Sequence, residues 1–80
     1  MAQYYFDVHS RTRQTCDDDG HDCPDRDAVS MYALQVLCDI ARHDPLSGRG
    51  GELTSVVRDT TNRVVLTATL NLSTIWIGDA

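Results

Sequence analysis

The sequence predicts an α+β domain in two layers, ordered ββαββ: a four-stranded antiparallel sheet with one helix packed on one of its faces. Three observations predict it. Residues 3–9 and 64–77 alternate side-chain character with the two-residue period of a strand. Residues 25–42 carry apolar side chains at helical spacing. Turn-forming Gly, Asn, Asp and Pro residues fall between the periodic stretches.

In QYYFDVH (3–9), Tyr4, Phe6 and Val8 share one face, and Tyr5, Asp7 and His9 share the other. Ser10-Arg11-Thr12 reads as a turn, and residues 13–17 as a short second strand that pairs back on the first. Asp7 in the middle of the first strand is expected on its exposed face or bonded to Arg13 across this hairpin. Asp18-Asp19-Gly20 reads as a tight turn with Gly20 at positive φ, and residues 21–23 extend the sheet briefly.

Pro24 suits the first turn of a helix, and Asp22 or Asp25 can cap its free N–H groups. The helix runs from Asp25 to about Arg42, with Val29, Tyr32, Ala33, Val36, Leu37 and Ile40 as its core stripe. Arg42 and His43 suit the negative end of the dipole, and Pro45 stops the helix. Met31, Leu34 and Cys38 follow another helical spacing, on roughly the opposite side. Either the core stripe widens to include Leu34, or this face is scattered apolar surface, or the set is a subunit interface.

Residues 44–51 (DPLSGRGG) form a loop, and residues 52–59 a third strand. Thr60-Thr61-Asn62-Arg63 turns the chain, with Asn62 in the left-handed region. In the last strand, Val64, Leu66, Ala68, Leu70 and Leu72 face one way, and Val65, Thr67, Thr69, Asn71 and Ser73 the other. Its final stretch, Ile75, Trp76 and Ile77, is apolar on both faces and invites contact with a second copy.

Eighty residues fit a single domain, 1–80, and a chain this short buries only roughly 60–65% of its unfolded surface, so self-association is a natural remedy. The net charge of −5 is local: residues 17–27 hold six Asp against one Arg, and the rest of the chain balances. All seven cations are Arg, but they form no basic stripe, which disfavours nucleic acid as a partner. No apolar run is long enough to span a membrane, and MAQYYFDVHSR lacks the regions of a signal peptide. Three cysteines, an odd count without an export signal, point to free thiols in the cytoplasm.

The stretch CDDDGHDCPD (16–25) raises the question of a metal site. A calcium loop needs alternating acids, and here Asp17, Asp18 and Asp19 are consecutive. For zinc, Cys16, His21, Cys23 and His9 have no recognised finger or ribbon spacing. The stretch therefore reads as a solvated turn and helix cap. Ser47-Gly48-Arg49-Gly50-Gly51 lacks the Lys of a phosphate-binding loop and precedes a strand, and no nucleophile elbow is present. No catalytic residue, cofactor site or metal site is assigned.

The opening YYFDVH, the Asp17–Gly20 turn, Pro24-Asp25 with Ala28, the Ala/Leu-rich helix ending Ile40-Ala41-Arg42, and Val57-Arg58-Asp59 before a closing alternating strand resemble a family of small alphaproteobacterial, rhizobial-type proteins of unknown function. The resemblance spans nearly the whole chain and implies a cytoplasmic bacterial protein, without supplying an activity. Members usually carry an aliphatic residue before the Pro, where this chain has Cys23. A looser outline, strands then an acidic-Gly turn then an Ala-rich helix start, is similar to HicB-type antitoxins. The expected function is a non-enzymatic protein-interaction module, homodimeric through Met31, Leu34, Cys38, Ile75, Trp76 and Ile77, with an unknown further protein partner. The alternative is an antitoxin-like regulator that binds a toxin or nucleic acid through Arg11, Arg13, Arg58 and Arg63.

Overall fold

A computed structural model describes residues 2–10, 13–43 and 52–78. The elements are β1 (Ala2–His9), β2 (Gln14–Thr15), β3 (His21–Cys23), α1 (Arg26–His43), β4 (Glu52–Arg58) and β5 (Val64–Asn71). They form one antiparallel sheet in the order β2-β1-β4-β5, with β3 also paired to β1, and α1 covers one face. The predicted loop at 44–51 and the turn residues Arg11 and Thr12 lie outside the described residues.

The sheet has five strands where the sequence predicts four, because the second strand is interrupted. Val8 pairs with Thr15, and Tyr4 with His21, so β1 advances four residues while its partner advances six. Cys16–Gly20 bows out of the ladder between them. The N–H of Phe6 donates to the Asp17 carboxylate at 3.0 Å. That carboxylate supplies the acceptor a strand carbonyl would otherwise provide, so the break leaves this donor paired.

Gly20 adopts φ 78° and Asn62 φ 68°, both as predicted. The positive φ is what requires glycine at 20; a Cβ there would also sit tightly, 3.0 Å from Gln3 Cγ and from the Tyr5 ring. Asp25 caps α1, accepting the Ala28 N–H at 2.8 Å. Pro24 therefore sits just ahead of the cap rather than inside the first turn. At the other end, Arg42 pairs with Asp39 at 3.1 Å, and His43 Nδ1 donates to the Asp39 carbonyl at 2.9 Å.

The core lies between α1 and the sheet. Val29, Ala33 and Leu37 are buried against Phe6, Cys23, Leu53 and Val57. Burying each large apolar side chain contributes on the order of 1.5–3 kcal/mol. Tyr32 joins the layers: it meets Phe6 edge-on at 4.7 Å and stacks on His21 at 4.0 Å. Ser55 stands among these apolar groups, fully buried, and its hydroxyl has no hydrogen-bond partner among the described residues. Ser55→Ala should therefore stabilise the fold by about 0.5–1 kcal/mol, read by urea denaturation, because an unpaired buried hydroxyl is costly.

Two features of β5 differ from expectation. Leu66 pairs with Val57 and Val64 with Arg58, so Val65 is the extra residue of a bulge. The bulge takes Val65 off the Thr67 face and places it beside Leu66 and Val29 on the helix side. The strand also ends at Asn71, not Ile77. β4 begins at Glu52, opposite Asn71; beyond a bridge at Leu72 the residues from Ser73 form no strand.

Candidate interaction surface

The acidic stretch proves architectural. On the uncovered face of the sheet, Asp7 is buried and Arg58 clamps it with two parallel bonds, Nε to Oδ2 at 2.7 Å and Nη2 to Oδ1 at 2.9 Å. Arg58, not Arg13, is thus the partner of Asp7. Arg58 Nη2 also donates to the Asp17 carbonyl, Nη1 donates to Asn62, and the guanidinium lies 5.2 Å from the centre of the Tyr5 ring. The Asp17 N–H donates to Asp7 Oδ1 at 2.9 Å, while Asp17 Oδ1 accepts the N–H groups of Asp19 and Gly20. Two carboxylates and one guanidinium therefore tie the bowed loop to β1, β4 and the β4–β5 turn.

The acids respond accordingly. The Arg58 hydrogen bonds hold the Asp7 carboxyl below its ordinary range, against the opposing effect of burial. Burial pushes Asp17 upward, and the N–H groups of Phe6, Gly20 and Asp19 outweigh it, leaving it lowered. Asp59, bonded by the Thr61 hydroxyl and by the N–H groups of Arg63 and Thr61, falls to about 2. Burial raises the Cys23 thiol, helped by Asp22 and Asp25, as suits a thiol packed in the core. Cys16 and Cys38 are free and exposed. Among the described residues, no group of three or more His, Cys, Asp or Glu is placed to hold a metal ion.

The predicted interface residues fall into two groups. Met31, Leu34 and Cys38 lie outside the core on α1, with Met31 62% and Leu34 47% exposed, so the core stripe does not widen to include Leu34. Ile75, Trp76 and Ile77 follow β5 with 80–90% of their surface exposed, and are packed neither on the helix set nor on the core. An eighteen-residue helix is about 27 Å long.

Two further features escaped sequence reasoning. β5 is an edge strand, paired on one side by β4 and by no strand among the described residues on the other. It carries no charged residue and no Pro, the usual protections of a free edge. At its first residues a groove of about 360 Å³ opens between the helix start and the β4–β5 hairpin, floored by Val29, Val65 and Leu66 and rimmed by Tyr4, Arg26 and Asp59. The bulge at Val65 forms this floor, and alternation alone gives no sign of it.

Residues 3–71 match DUF6894, a domain of unknown function. The chain belongs to the DUF6894 family. The match begins in β1 and ends with β5, so the Asp7–Arg58 clamp, the bowed loop and the free edge all lie within the DUF6894 domain, and Ile75, Trp76 and Ile77 lie beyond it. No curated protein and no solved structure matches the chain. Among the described residues, no helix is long and apolar enough to cross a membrane.

Proposed function

We propose that this DUF6894 chain is a non-enzymatic interaction module of the bacterial cytoplasm, and that it works as a homodimer. The observation that carries this reading is β5: a fully formed strand at the sheet edge without charge, flanked by exposed apolar residues on α1 and after the strand. Edges of this kind are templates for further strands. Asp7 and Asp17, whose lowered carboxyls could otherwise mark a site, are occupied in holding the bowed loop. Three unpaired thiols suit a reducing compartment.

The antitoxin-like alternative draws on free guanidinium groups gathered on one face. Arg58 and Arg63 each face a carboxylate, Asp7 and Asp59, and Arg11 lies outside the described residues, so the geometry lends it no support. Sedimentation velocity from low to high micromolar concentration tests the homodimer. The sedimentation coefficient should rise to a plateau at twice the chain mass, and a constant monomer value would contradict the proposal.

A further inference from the structure

We infer that the second copy docks edge to edge on β5, in one antiparallel register centred on Ala68, so that the two α1 helices meet through Leu34. This rests on the homodimer proposed above and names its geometry.

The helix position supports it. Tyr32 faces His21 and Phe6, on the β1/β3 side of the molecule. Helical residues turn about 100° per step, so Leu34, two steps on, points to the opposite flank, toward β5. α1 lies mainly over β5 and β4. Its early residue Val29 stands beside Leu66. Five residues further along the helix is about 7.5 Å, or roughly two strand residues, which brings Leu34 level with Ala68.

A two-fold axis through Ala68 and perpendicular to the sheet keeps both helices on one side. Strands are about 4.8 Å apart, so helices seated over β4 and β5 of each copy would stand about 10 Å apart, ordinary helix-packing distance. The half-exposed Leu34 then meets the partner's Leu34.

The same register is self-complementary along the strand. Leu66 faces the partner's Leu70 on the helix side, and Thr67 faces the partner's Thr69 on the open side. The absence of charge in β5 lets a chain of net charge −5 pair with itself here.

The exposed segment after β5 fits the same arrangement. Asn71 lies six residues from Val65 along β5, about 20 Å, and Trp76 is only five residues past Asn71, about 17 Å at full extension. The segment stands exposed and does not line the groove of its own chain. Antiparallel pairing carries it to the end of the partner's sheet where that groove opens.

The test uses the full chain with Cys16→Ser and Cys38→Ser. Ala68→Cys in this background should form an intermolecular disulfide under mild oxidation, because directly opposed strand residues lie within disulfide reach. Leu34→Glu, at an exposed site, should weaken self-association by about tenfold or more while leaving circular dichroism unchanged. A dimer that neither cross-links through Ala68→Cys nor responds to Leu34→Glu overturns this geometry and leaves the homodimer standing. A monomer at every concentration overturns both.

Discussion

Arg58→Met is expected to destabilise the domain at neutral pH, read as a clear fall in Tm and in the urea midpoint. The substitution keeps much of the apolar stem and removes the guanidinium. Asp7, whose side chain is 11% exposed, is left as a charge without its partner, and the Asp17 carbonyl and Asn62 each lose a donor. Removing one member of a largely buried pair costs more than the pair contributes, because the remaining charge stays desolvated.

The pH dependence separates this from a loss of packing. In the natural chain Asp7, Asp17 and Asp59 are all lowered in the folded state. Their contribution is fully present above the ordinary carboxylate value near 4 and is lost as pH falls through the folded values, about 2 for Asp59. Without Arg58, burial is the largest remaining influence on Asp7, and its carboxyl rises relative to the natural chain, although the Asp17 N–H still opposes burial. Protonation then relieves the variant, so its deficit against the natural chain should shrink between pH 7 and about 3. Urea melts across that range measure it, and a deficit independent of pH would remove Asp7 from the explanation.

Leu37→Ala is expected to cost about 3 kcal/mol, between a quarter and three quarters of the roughly 4–12 kcal/mol available to a domain of this length. Leu37 is fully buried and is among the largest side chains without exposed surface. Its truncation leaves a cavity between helix and sheet that a small core cannot close. Leu34→Ala, three residues away and half exposed, should change monomer stability by less than about 0.5 kcal/mol. Thermal denaturation of the two variants at low concentration makes the comparison, and equal losses would mean that the helix presents a different face to the sheet.

Much of the fold was legible because it depends on local chemistry. Glycine at position 20 and Asn62 announce positive φ, Asp25 announces a cap, and the spacing of Val29, Ala33 and Leu37 announces the buried face. What escaped depends on contacts distant in sequence. The second strand breaks because a side chain, Asp17, takes over a ladder bond to Phe6 eleven residues away. Asp7 finds Arg58 across 51 residues, while Arg13 is its nearer candidate in sequence. Val65 changes face through a one-residue bulge that alternation cannot reveal. The residues of the proposed interface are legible as apolar groups outside the core stripe, whereas the free edge beside them requires the strand order.

Hydrogen exchange of the β5 amides, followed from dilute to concentrated solution, tests the self-pairing edge most directly. Amides between Val64 and Asn71 that point away from β4 should exchange quickly in dilute samples and become protected as concentration rises, while β1 amides stay constant. Rapid exchange at every concentration in a chain that nonetheless dimerises would contradict edge pairing and place the contact elsewhere.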